Sequence, residues 1–145
     1  MTEATAERDV DRLNAMLRGE RAAVETYTQC IEKLNGSGIA TQLATLKSSH
    51  AARVVKLTSR INLLGGAADT TSGAWGAFAK LVEGGAAVFG EKPAIAALEE
   101  GEDHGKKDYA DLEDLTDSTR SFVVTELVPE QKRTHDAMRA IKHSM

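Results

Sequence analysis

Two glutamates and two histidines recur in matching surroundings along this chain. Gly19-Glu20 is followed seven residues after the Glu by Tyr27, and Gly101-Glu102 is followed at the same interval by Tyr109. Each half then carries one histidine on its next helical stretch, His50 and His135, each three residues after a lysine, Lys47 and Lys132. Carboxylate, imidazole, amine and phenol brought together in a helical core can hold a cation or close into a hydrogen-bonded layer. An internal repeat with Glu and His at core positions describes a polar site inside a four-helix bundle.

The elements that must position these groups are legible as periodic stripes. Leu13, Leu17, Glu20, Val24, Tyr27, Ile31 and Leu34 alternate at spacings of three and four, predicting a first helix over about 5–35. Asn35-Gly36-Ser37-Gly38 breaks it. Ile39, Leu43, Leu46, His50, Val54, Leu57, Ile61 and Leu64 then mark a second helix, stopped by Gly65-Gly66. So short a break predicts an antiparallel pair.

Residues 65–92 read as a crossover, Gly-rich at both ends, carrying a short amphipathic helix with Trp75, Phe78 and Val82 on one face. Pro93 suits the first turn of a third helix, striped by Ile95, Leu98, Glu102, Gly105, Tyr109 and Leu112 and ending near Leu115. Asp117 or Ser118 can cap a fourth, carrying Phe122, Val124, Leu127, Val128, His135, Met138 and Ile141. Pro129 cannot donate to the carbonyl of Thr125, which predicts a kink six residues before His135. The expected fold is all-α, two antiparallel hairpins joined by a long crossover, in one domain spanning 1–145.

Glu20 and Glu102 stand where the stripes call for Leu, and a carboxylate left unpartnered in a core costs several kcal/mol in order of magnitude. The partners expected are His50, His135, Lys47 and Lys132, with Tyr27 and Tyr109 two turns along the same stripes. Arg53, one turn past His50, suits either a cap on one of these carboxylates or a surface position. Gly19, Gly101 and Gly105 point to close helix approach or to room beside the site.

The run from Leu13-Asn14 through Glu20 to Tyr27, the matching Glu102 to Tyr109, the two histidines and the crossover resemble the ferritin-like superfamily. With Ser72-Gly73-Ala74-Trp75 and Glu99-Glu100-Gly101-Glu102, the chain is most similar to a bacterial ferritin-like family of unknown function, over roughly residues 9–142. Ferritin-like di-iron proteins use one Glu from each of two helices and a Glu-x-x-His pair from each of the other two. By that resemblance Glu20 and Glu102 match the single glutamates, and His50 and His135 match the histidines. Lys47 and Lys132 fall where the bridging glutamates belong, which makes the di-iron pattern degenerate.

Two carboxylates and two ammonium groups already sum to zero charge, so the expectation is a polar centre with no cofactor and a structural or partner-binding role, with no catalytic residue assigned. The alternative is a metal-binding oxidoreductase or iron-handling protein. In it Glu20, His50, Glu102 and His135 supply two oxygen and two nitrogen donors to one iron, manganese or zinc ion.

Composition narrows the partners. A net charge of −4 and no polybasic run argue against nucleic acid, and no apolar stretch is long enough for a membrane span. The start of the chain lacks the basic and apolar parts of a signal peptide, so a cytoplasmic protein is expected. Residues Ser37 to Leu64 carry four Lys or Arg and no acid, whereas Glu91 to Asp117 carry ten acids against three lysines. This asymmetry reads as two differently charged solvated faces. Trp75, Phe78 and Phe89 suit covering a bundle face or self-association, the latter leaving a homo-oligomer open. His104 is expected in solvent, His143 to fray or assist the helix C-terminus, and Cys30 as a packing residue.

Overall fold

The computed structural model describes residues 2–72 and 90–145, so the expected crossover helix and its aromatics Trp75, Phe78 and Phe89 lie outside the described residues. Among the described residues the chain is all-helical. The elements are α1 (Glu3–Lys33), α2 (Gly38–Leu63), α3 (Glu91–Asp108), α4 (Asp117–Phe122), a π-helical turn (Val123–Leu127) and α5 (Val128–His143). The last three run on as one fourth helix. No described helix is long and apolar enough to cross a membrane.

Local chemistry sets the helix ends. Thr2 and Ser37 cap α1 and α2, their hydroxyls accepting from Thr5 N at 3.2 Å and Ala40 N at 3.3 Å. At the far end of α2, Gly66 N–H bonds Ile61 O and Gly65 N–H bonds Asn62 O, both at 3.0 Å, a Schellman stop that needs the positive φ of Gly65 (81°). Gly66 is required for a different reason. A Cβ there would stand 2.6 Å from Val10 Cγ1, so α1 passes directly over this stop.

Two departures from the expected boundaries matter for the site. Helix α3 ends at Asp108 rather than near Leu115, which leaves Tyr109 as its C-cap. The connection that follows is held by Arg120, which donates to the carbonyls of Leu112, Glu113 and Leu115 at 3.1, 3.2 and 2.7 Å. The fourth helix is capped by Thr116, whose N–H and hydroxyl both bond the fully buried Asp9, so α1 fixes where that helix begins.

The expected disturbance at Pro129 takes the form of a π turn just ahead of it, with Val128 N–H bonding Val123 O. Its cause is visible in the buried positions Thr119, Val123, Leu127 and Gln131, spaced four, four and four. At about 100° per residue, twelve residues of α-helix would carry Gln131 about 120° off the face of Thr119; one residue absorbed in a π turn leaves about 20°. This register buries Val123 and leaves Val124 50% exposed, reversing the expectation for Val124.

The core is divided in two. One apolar cluster joins Tyr27 and Cys30 of α1, Leu43 and Leu46 of α2, Ile95 and Leu98 of α3, and Met138 and Ile141 of α5. The other joins Leu13 and Leu17, Leu57 and Ile61, Tyr109 and Leu115, and Val123 and Leu127. Thus α1 and α2 run antiparallel, α3 and the fourth helix likewise, and α3 starts at the opposite end from where α2 stops. Between the clusters lies one polar layer.

Candidate functional site

Glu20 of α1, His50 and Arg53 of α2, Glu102 of α3 and Thr134 of α5 meet in that layer, each buried. His50 is the bridge. Its Nδ1 lies 2.6 Å from Glu20 Oε2 and its Nε2 2.6 Å from Glu102 Oε1. Two carboxylates that only accept require both ring nitrogens to donate, which makes His50 an imidazolium. Burial alone would lower the His50 pKa, but the charge of Glu20 and the hydrogen bonds to Glu102 and Glu20 raise it above its ordinary value.

Each carboxylate accepts three bonds. Glu20 takes His50, Arg53 Nη1 at 3.1 Å and the Tyr109 hydroxyl at 2.8 Å. Glu102 takes His50, the Tyr27 hydroxyl at 2.7 Å and the Thr134 hydroxyl at 2.9 Å. Burial pushes both glutamates toward the neutral acid, yet His50, Arg53 and the tyrosine on each hold their pKa values below the usual range. Both tyrosines are driven well up, first by burial and then by the carboxylate each faces, so they are donors only. Arg53 completes the ring, donating through Nη2 to Thr134 at 2.8 Å, which passes the polarity on to Glu102. The charges of two carboxylates, one guanidinium and one imidazolium sum to zero.

The expected site residues divide. Glu20, His50, Glu102, Tyr27 and Tyr109 come together. Lys47 is half-buried and Lys132 exposed, and neither takes part, because helix geometry turns residues 50 and 53 inward on α2 and residues 131 and 134 inward on α5. His135 also stands apart, its Nε2 2.6 Å from Asp103 Oδ1 on the rim of α3. The cation at the centre is Arg53, 1% exposed. Sequence spacing offered it, one turn after His50, with the surface as an equal choice. Thr134 and Gln131 carried no signal of their own; Gln131 bonds the Glu102 carbonyl at 3.3 Å.

The three glycines line a cleft of about 20 Å³, room for roughly one water, between α1 and α3. Glu20, Glu102 and Tyr109 border it, with His104 and Asp108 beside them. Asp108 Oδ2 sits 3.6 Å from where a Gly19 Cβ would be. Burial, with Glu20 nearby, raises its pKa. Although Glu20, His50 and Glu102 converge, they point at one another rather than at a common vacant point. Among the described residues no group of three or more His, Cys, Asp or Glu side chains is arranged to hold a metal ion.

A fold that is all-helical among the described residues, with a buried, charge-balanced ion cluster, is the class that fold and site define. Residues 8–114 match the model of a domain of unknown function, DUF2383, and the chain belongs to that family. The match begins within α1, runs through α2 and α3, and stops short of the helix that supplies Thr134. No curated protein and no solved structure matches the chain.

Proposed function

We propose that this protein is a ferritin-like four-helix bundle, two antiparallel hairpins joined by a crossover, whose centre is an ion cluster in place of a metal site, and that it acts as a structural or partner-binding module without turnover. The helix directions support the topology. The i, i+3 positions facing inward from α2 and α5 support the rest. Where the di-iron pattern asks for Glu-x-x-His on two helices, these positions hold His50-x-x-Arg53 and Gln131-x-x-Thr134. The register lies three residues beyond Lys47 on α2 and one residue before Lys132 on α5, the positions that the sequence resemblance suggested.

These residues do not fit a dinuclear centre. Of the six pattern positions only Glu20 and Glu102 retain a ligand of the expected type, and a guanidinium occupies the interior. The observation that carries the reading is Arg53 and His50 together neutralising Glu20 and Glu102 with every carboxylate oxygen hydrogen-bonded. A divalent ion would have to displace the His50 proton and sit beside Arg53, at an electrostatic cost. The alternative, one ion on Glu20, His50, Glu102 and His135, would also need His135 to leave Asp103.

Elemental analysis of protein purified without chelators tests this directly, and stoichiometric transition metal would overturn it in favour of the iron-handling alternative. A constructive test restores the pattern. His50→Glu, Arg53→His, Gln131→Glu and Thr134→His together should create ferrous-iron binding, whereas Lys47→Glu with Lys132→Glu should not.

A further inference from the structure

Lys132 and His135, singled out by the sequence and left aside by the cluster, line a second concavity. A groove of about 450 Å³ lies between α3 and α5, within the size range of small-molecule sites. Lys106 stands on its α3 wall and Lys132 on its α5 wall, both exposed. Tyr109, Ala110, Val128 and Gln131 also line it; Tyr109 is 6% exposed with its hydroxyl on Glu20, so the apolar surface open to the groove is that of Ala110 and Val128.

The charge of this groove runs against that of the chain. The protein carries −4 overall and α3 is rich in acids, yet the groove holds two ammonium groups against one carboxylate, that of Asp136. Asp136 Oδ1 lies 3.5 Å from His135 Nδ1, while His135 Nε2 is bonded to Asp103, so both acids at that end face the imidazole. Lys56 and Lys142 reach Glu126 and Glu99 at 3.1 and 2.9 Å; among the described residues Lys106 and Lys132 form no ion pair. Two ammonium groups over a partly apolar floor are complementary to an oxyanion on a compact apolar body.

We propose that this groove binds a small organic oxyanion of the phosphate-monoester class, with Lys106 and Lys132 on the phosphate and Ala110 and Val128 against the organic body. Neither lysine touches the buried cluster, which the groove adjoins through Tyr109 and Gln131.

The test is an amide NMR titration of the full chain with phenyl phosphate, run beside inorganic phosphate and phenol. Saturable shifts centred on Lys106, Lys132 and Val128 are expected, with phenyl phosphate binding more tightly than either fragment. Lys106→Gln and Lys132→Gln should each weaken binding by about tenfold, the loss of one charge-assisted hydrogen bond, and Lys→Arg at either position should retain most of it. Lys92→Gln, on the exposed start of α3, should change nothing. No saturable shift, or one that survives in the Lys106→Gln, Lys132→Gln double variant, would overturn the site. Inorganic phosphate binding as tightly as phenyl phosphate would overturn the apolar contact and leave an adventitious ion only.

Discussion

Arg53 and Glu20 meet at 3.1 Å in the middle of the bundle, with side chains 1% and 6% exposed. A pair so deeply buried is weak evidence of net stabilisation as a pair, but removing one member leaves the other charge uncompensated. Arg53→Met should therefore destabilise the fold by about 3–5 kcal/mol in chemical denaturation. Lys47→Met and Lys132→Met, outside the layer, should stay within about 0.5 kcal/mol of the parent. Equal effects from all three would remove Arg53 from the central role given to it.

The tyrosines make a finer comparison. Tyr27 donates to Glu102 and Tyr109 to Glu20, at 2.7 and 2.8 Å, from opposite sides of the His50 bridge. Tyr27→Phe and Tyr109→Phe each withdraw one donor from a buried carboxylate and should each cost about 1–3 kcal/mol. Both bonds belong to one connected layer, so the double variant should depart from the sum of the singles. Strict additivity in denaturation midpoints would show that the two halves act independently.

Much of this layer was legible in residue types and spacing, and the failures have physical causes. Glu20, Glu102 and both tyrosines announce themselves because a polar residue in an otherwise apolar stripe demands a partner. The identity of the partner is another matter. Residues 47 and 53 flank His50 at equal separation on opposite sides, and only the rotation of α2 against its neighbours chooses Arg53. On the fourth helix the π turn carries the inward face from about residues 130 and 133 to Gln131 and Thr134, in register with Met138, which leaves Lys132 outside and brings only the edge of His135 into the interior. Three successive intervals of four among Thr119, Val123, Leu127 and Gln131 were the available sign, obscured because Thr and Gln do not read as core residues.

That argument makes the π turn removable. Deleting exposed Val124 takes out the extra residue, and Pro129→Ala restores the donor that a continuous α-ladder needs at that point. The combined variant should fold with the faces on both sides of the deletion in place. A single-residue deletion at Arg139, inside regular α-helix, should rotate Ile141 out of the core and lose stability. Comparison of melting temperatures, with amide NMR to confirm the cluster, checks the pair; equal damage from both deletions would refute the register argument.

Cys30 offers a probe of the apolar half of the core. It is fully buried against α1's neighbours, and burial pushes its thiol up to about 12. Since the thiolate is the reactive form, iodoacetamide should label native protein only through unfolding, with a rate that rises in step with denaturant. Rapid labelling in buffer would mean that this end of the bundle opens readily.

The balance of charges also fixes how stability depends on pH. Although burial opposes its protonation, His50 has its folded pKa raised above 6.5 by Glu20 and Glu102, so its contribution is complete below 6.5 and is lost as pH climbs through the folded value. Burial likewise opposes ionisation of Glu20 and Glu102, but the cations and hydrogen bonds around them place their folded pKa values below 4.5; their contribution is complete above 4.5 and is lost as pH falls through those values. The cluster thus stabilises most between 4.5 and 6.5 and weakens on either side. His50→Gln removes the group that titrates on the alkaline limb and should flatten that limb while leaving an acid limb. Asp108, raised by burial and by Glu20, has the opposite sign among the acids, and Asp108→Asn should stabilise the fold at neutral pH. Thermal melts of the three proteins across this range decide it, and an alkaline limb that persists unchanged in His50→Gln would show that the bridging imidazolium is not its source.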